Sequence, residues 1–168
     1  MTSIYGFPPV SSPDAELLIL GSMPGKASLR ANQYYAYPRN AFWPLMESIY
    51  RVDRCLVYED RCRQLLKHKV AVWDVLKKCI RKSSLDSDIV GTSVIVNDFE
   101  GFYATHRHIR NVYFNGAMAE KSYRQYVLPS LPDHMTGIPL VRLPSTSPAH
   151  AALSFEQKLA KWEQIRDA

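Results

Sequence analysis

The sequence has little of what would mark a secreted, membrane-spanning or metal-stapled protein. Cysteine is scarce and odd in number: Cys55, Cys62 and Cys79, with no Cys-x-x-Cys pair. A disulfide framework is therefore not expected, and free thiols in a reducing cytoplasm are. Long apolar runs are missing; stretches such as Leu17–Leu20 are far too short to span a bilayer, and no membrane partner is expected. No lysine or arginine precedes Lys26, so the basic region of a secretory leader is lacking. There is no repeat, no low-complexity tract and no linker long enough to separate two domains. His106 and His108 have no further His or Cys at ligand spacing, and neither a metal nor another cofactor is expected.

What is present fits one globular domain. The 168 residues are 46% apolar and 22% charged, enough to bury a core without staples. Lysine and arginine outnumber aspartate and glutamate by 21 to 16, a formal charge of +5 that permits a polyanionic partner without demanding one. Residues 1–16 carry Pro8, Pro9 and Pro13 and read as an extended lead-in to a domain over residues 17–168. Four short apolar runs follow: Leu17–Leu20, Val70–Trp73, Val112–Phe114 and Pro139–Leu143. Between them lie helical patterns, most clearly Phe42, Trp43, Leu45, Met46, Ile49 and Tyr50 on one face. Asn97 with Glu100, and Ser154 with Gln157, have the spacing of helix N-caps with their N3 partners. Short strands alternating with helices predict an α/β sandwich around a central, mostly parallel four-stranded sheet. In such sheets ligands bind beyond the carboxyl ends of the strands, so the four loops there are the places to look for chemistry.

The first loop, Gly21-Ser22-Met23-Pro24-Gly25, is a tight turn whose backbone can approach a ligand. It is no phosphate loop, since no Gly-Lys-Ser/Thr follows at the required spacing. The aromatic-rich stretch Tyr34–Trp43 contains Arg39 and Asn40; Asn40 suits both a helix N-cap and an exposed catalytic amide. Phe42 fits a stacking surface and the core equally well. After the second strand come Asp74, a basic stretch with Lys77, Lys78, Arg81 and Lys82, and then Ser83 to Asp86. A charge run of this kind is usually a solvated face, but here it also suits phosphate contacts. The third strand ends Phe114-Asn115-Gly116 and opens a helix, with free backbone N–H groups expected on the same rim. The fourth is followed by Pro144-Ser145-Thr146-Ser147-Pro148-Ala149-His150, three hydroxyls held between prolines.

Taken in order, Leu20–Gly25, Tyr34–Trp43, Trp73–Leu76 with Ser84–Ser87, Phe114–Gly116 and Leu143–Ala151 resemble the uracil-DNA glycosylase superfamily, and most closely its hypoxanthine-DNA glycosylase branch. The resemblance runs from about Leu17 to Trp162. It implies a repair enzyme that flips a deaminated base, hypoxanthine first, out of double-stranded DNA and hydrolyses its glycosidic bond, acting as a monomer without a cofactor. The resemblance places catalysis on Asn40. It places base contacts on Gly21, Ser22, Met23, Pro24, Phe42, Asp74 and Asn115, and DNA contacts on Lys77, Lys78, Arg81, Ser145, Thr146, Ser147, Pro148 and His150. Two departures stand out. Met23 stands where mismatch-specific thymine and uracil glycosylases have a catalytic Asn, and Tyr37 stands where the branch usually has His. A uracil or thymine mismatch enzyme, and a non-catalytic nucleic-acid-binding module of the same fold, remain the alternatives.

Overall fold

A computed structural model describes residues 2–167. Its centre is a four-stranded, wholly parallel sheet built from β2 (Leu17–Gly21), β3 (Val70–Asp74), β6 (Asn111–Asn115) and β7 (Leu140–Leu143), in the order β3-β2-β6-β7. The first two are buried along their whole length, as expected of strands covered on both faces, which is why they read as unbroken apolar runs. Each expected strand is found, and three of them run one residue further, to Gly21, Asp74 and Asn115, which carries those residues to the loop-bearing edge.

The chain runs from β2 to β3 on one side and later crosses to β6 on the other. The direction of winding therefore reverses at β2, and the crevice between the ends of β2 and β6 is the switch point where such sheets take ligands. Helices α1 (Lys26–Ala31), α2 (Phe42–Tyr50) and α3 (Tyr58–Lys67) lie between β2 and β3, and α4 (Phe99–Thr105), α5 (Ala117–Ser122) and α6 (Phe155–Trp162) follow. The apolar stripe of α2 is core: Phe42, Trp43, Leu45, Met46 and Ile49 are all buried. Each such side chain contributes about 1.5–3 kcal/mol on burial. Among the described residues no helix is long and apolar enough to cross a membrane.

A second sheet went unforeseen. β1 (Ser3–Tyr5), β4 (Leu76–Ile80) and β5 (Ile95–Val96) form an antiparallel ribbon in the order β1-β4-β5. Residues 1–16, expected as a lead-in, supply β1 to this ribbon, and Val10 bridges to Val72 of the main sheet. β4 is hidden in the sequence because Lys77 and Lys78 interrupt its apolar residues; Leu76 and Cys79 point inward.

One of the two expected caps differs. α4 is capped by Asp98, whose carboxylate accepts the Gly101 N–H, whereas the Asn97 amide donates to the Asp74 carbonyl 2.8 Å away. Ser154 and Gln157 do form the reciprocal capping box of α6.

Candidate active site

At the switch point the loops enclose a cavity of about 610 Å³, within the usual range for a small-ligand site. Its wall includes Gly21 to Ser28, Tyr34, Tyr35, Tyr37, Asn40, Asp74, Ser84 to Ser87, Asn115 and Ser145 to His150. Four loops distant in sequence thus converge because all follow the carboxyl ends of parallel strands.

Asn40 stands one residue ahead of the α2 N-cap, Ala41, and its Oδ1 accepts the Phe42 N–H at 2.9 Å. This fixes the side chain while its Nδ2 makes no hydrogen bond among the described residues. Helix initiation and a free amide donor therefore coexist in one side chain. The junction is tied from behind, since the Ala41 N–H donates to the Thr146 carbonyl at 2.9 Å.

Asn115 belongs to the same tie. Its Nδ2 donates to Thr146 Oγ1 and its Oδ1 accepts the Thr146 N–H, both at 2.9 Å. One amide N–H and the amide oxygen both engage Thr146, so Asn115 holds the loop after β7 against the end of β6. Thr146 is buried and points inward, which corrects its placement among the DNA-gripping hydroxyls. Gly116 has φ of +96° and lies against Ser145, so a side chain there would be strained and crowded. Its N–H donates to the Phe114 and Leu143 carbonyls and is therefore not free for a ligand. Ser145 and Ser147 accept N–H groups of their own loop, from Ser147 and Ala149, which leaves their hydroxyl protons directed elsewhere. Pro148 and His150 are exposed on the rim.

The opposite wall is different. Asp74 is 4% exposed, and its Oδ2 is buried with no hydrogen-bond partner. Burial, reinforced by the neighbouring Asp86 carboxylate and opposed by Arg81, pushes its carboxyl up to about 7. Asp86 is raised as well, chiefly by burial, and accepts a hydrogen bond from Ser22 Oγ at 2.6 Å. Tyr35 has φ of +56°, an uncommon backbone for a bulky residue, and its hydroxyl is also buried without a partner. Gly21 makes room for both: a Cβ there would sit 2.5 Å from Asp74 Oδ1 and 3.0 Å from the Tyr35 hydroxyl.

Four expected contacts move. Phe42 is fully buried, and Tyr35 stacks on it with ring centroids 4.1 Å apart, standing between Phe42 and the cavity. Phe42 is core, and Tyr35 takes the wall position the sequence offered to it. Arg81 is buried, and its guanidinium donates to the Pro24 and Ser83 carbonyls, so it braces the first turn from inside and does not reach phosphate. Lys77 and Lys78 lie on β4, away from the cavity wall, with the Lys78 ammonium 5.4 Å from the Tyr5 ring. Gly21, Ser22, Met23 and Pro24 do line the cavity. Tyr35 and Asp86 are the wall residues that sequence reasoning missed. Both lie inside noted stretches, but a left-handed backbone and a Ser22 contact 64 residues away leave no local signal.

The family model of the uracil DNA glycosylase superfamily matches residues 8–167. A protein named hypoxanthine DNA glycosylase from Methanosarcina barkeri is 38% identical over 112 residues, covering 66% of this chain and 70% of its own. Another of that name from Methanosarcina acetivorans is 36% identical over 134 residues, covering 74% and 84%. A solution NMR structure from Methanosarcina acetivorans, provisionally named a uracil DNA glycosylase, superposes with a TM-score of 0.82 at 32% identity over 99% of this chain and 98% of its own. With the switch-point cavity and the ordered loops, these matches give one conclusion: the chain belongs to the uracil DNA glycosylase superfamily.

Proposed function

We propose that this protein is a monofunctional DNA N-glycosylase that excises hypoxanthine from double-stranded DNA and leaves an abasic site. The observation that carries the reading is Asn40, anchored by its own Oδ1 at the mouth of the cavity with its amide protons free. The names of the two Methanosarcina relatives supply the base. Breaking the deoxyribosyl C1′–N bond builds positive charge on the sugar and negative charge on the departing base. Preorganised donors aimed at that charge are the main catalytic resource. In this reading the Asn40 amide donates to the attacking water or to the base, water supplies oxygen to C1′, and the base leaves with a proton. Flipping the nucleotide into the cavity costs a few kcal/mol, and less where the base is mispaired.

Ser145, Ser147, Pro148 and His150 would meet the phosphate backbone and the vacated stack, with Lys26 the cation on the rim. Lys77 and Lys78 would add only diffuse attraction from the accessory ribbon. In this reading a monomer is the working unit.

The test is a panel of duplexes with a single inosine, uracil, xanthine or mismatched thymine, scored for alkali-labile cleavage. Release of hypoxanthine ahead of the others is expected. Release of uracil ahead of hypoxanthine would favour the second reading, a uracil enzyme, which the provisional name of the NMR relative suggests. DNA binding without release of any base would leave only a binding module.

A further inference from the structure

Buried polar groups in folded proteins nearly always have hydrogen-bond partners, and an orphan calls for an explanation. The cavity wall has two orphans side by side, Asp74 Oδ2 and the Tyr35 hydroxyl. The two side chains approach each other over Gly21, where Asp74 Oδ1, the other oxygen of that carboxyl, and the Tyr35 hydroxyl lie 2.5 and 3.0 Å from where a Cβ would stand. Tyr35 keeps a left-handed backbone in this position, a strain that persists at ligand sites when the surroundings enforce it. The pair therefore combines an acceptor and a donor, both desolvated: Asp74 Oδ2 is unpaired, and the Tyr35 hydroxyl, whose oxygen the Asn115 amide approaches as a donor, has its own proton unplaced.

Deamination changes a base in a matching way. The adenine edge presents an amino donor beside a ring-nitrogen acceptor, and hypoxanthine presents a carbonyl acceptor beside a ring N–H donor. We propose that Asp74 and Tyr35 are the specificity pair for this edge: the carboxylate accepts the ring N–H and the tyrosine hydroxyl donates to the adjacent carbonyl. This rests on the glycosylase reading and deepens it. The hydroxyl could accept from the amino group of adenine, but the ring lone pair of adenine would face a buried carboxylate, which carries the discrimination. A site built around specific hydrogen bonds rejects such a mismatch strongly, because its own buried groups are left unpaired.

The groups facing Asp74 decide when it can accept. Asp86 opposes its ionisation, Arg81 favours it, and Tyr34 and Tyr35 are neutral phenols held well above their ordinary range by burial. Recognition of the ring N–H therefore strengthens as pH rises through about 7 and fades below it.

The experiment measures binding, so it does not depend on turnover. Duplexes carry one 2′-fluoroarabino nucleoside, whose fluorine resists bond cleavage, with hypoxanthine, 1-methylhypoxanthine or purine lacking the 6-oxygen as the base. Wild type is expected to bind hypoxanthine about tenfold or more tighter than either analogue. Tyr35→Phe removes an oxygen that only the Asn115 amide approaches and keeps the stacking on Phe42, so folding should be nearly unharmed. It should shrink, without abolishing, the preference over 6-unsubstituted purine, which lacks the ring N–H as well as the carbonyl, and keep the discrimination against the N-methyl base. Lowering pH from 8 to 5.5 should shrink the N–H over N-methyl preference in wild type. Equal weakening of all three ligands by Tyr35→Phe, or a pH-independent N-methyl preference in wild type, overturns the assignment. If wild type releases no hypoxanthine from an ordinary inosine duplex, the glycosylase reading itself fails, and the pair with it.

Discussion

The two walls of the cavity are built on opposite principles. The wall from β6 and β7 is closed on itself: Asn115 saturates Thr146, Thr146 holds Ala41, and Ser145 and Ser147 accept N–H groups of their own loop. The wall from β2 and β3 contains Asp74 and Tyr35 with buried atoms unpaired, and behind them Arg81 with one such nitrogen. A satisfied network rigidifies; an unsatisfied one lowers stability unless a ligand completes it. The difference separates a scaffold from a surface that waits for a ligand. Asn40 stands at the seam, fixed like the first wall through Oδ1 and open like the second through Nδ2.

The sharpest break in that picture is at the seam. Asn40→Ala should cut single-turnover base release by about 10²-fold or more, the usual consequence of losing one preorganised donor. Its melting temperature should fall only as far as loss of a helix-start contact allows, about 1 kcal/mol. Asn40→Asp keeps an oxygen for the Phe42 N–H and offers no donor, so it should restore stability and leave catalysis impaired. A normal rate for Asn40→Asp would make the residue structural.

Next in size is the closed wall. Asn115→Ala leaves the buried Thr146 groups without partners, a loss of about 1–3 kcal/mol in denaturant unfolding. Base release should fall with it, because the Ser145–His150 loop and the Ala41 junction are released together. An unchanged midpoint would mean that the tie does not hold the loops.

On the open wall the sign should reverse. Folding raises the Asp74 carboxyl from 3.8 to about 7, so between those values the folded state holds a proton that the unfolded chain has given up. Stability attributable to Asp74 is therefore greatest below pH 4, declines as pH climbs, and is lowest above 7. Asp74→Asn removes the ionisation penalty and should raise the midpoint at pH 8, with a smaller gain at pH 5. A loss of stability at pH 8 would show that the carboxylate is satisfied and the contrast between the walls false.

The smallest effect concerns the rim. Lys26→Ala should lower the slope of log affinity against log salt by about one, and Lys77→Ala by much less. The reverse order would put the accessory ribbon, and not the cavity mouth, against DNA.

Much of the frame was legible in the sequence. Leu17–Leu20, Val70–Trp73 and Val112–Phe114 announce buried parallel strands because both faces of such strands must be apolar. Ser154 with Gln157 announces a helix start because a capping box is a local hydrogen-bond pattern. Once the strands are parallel, the edge where the loops gather follows; the order β3-β2-β6-β7 does not. Membership of the superfamily was readable from ordered loop motifs for the same reason. What the sequence left open was the direction each polar side chain takes. Arg81 reads as one more cation in a basic run until the Pro24 carbonyl, 57 residues earlier, is seen to accept from it. Phe42 and Tyr35 are both aromatics beside a helix start, and the left-handed turn at Tyr35 decides which of them meets the cavity. Asp74 and Asp86 become a coupled pair only when β2 and β3 bring Ser22 between their loops. Local periodicity determines which residues are apolar on one face, since it needs only neighbours three or four positions away. Burial, desolvation and unpaired polar atoms depend on segments far apart in the chain, and tertiary structure alone sets them.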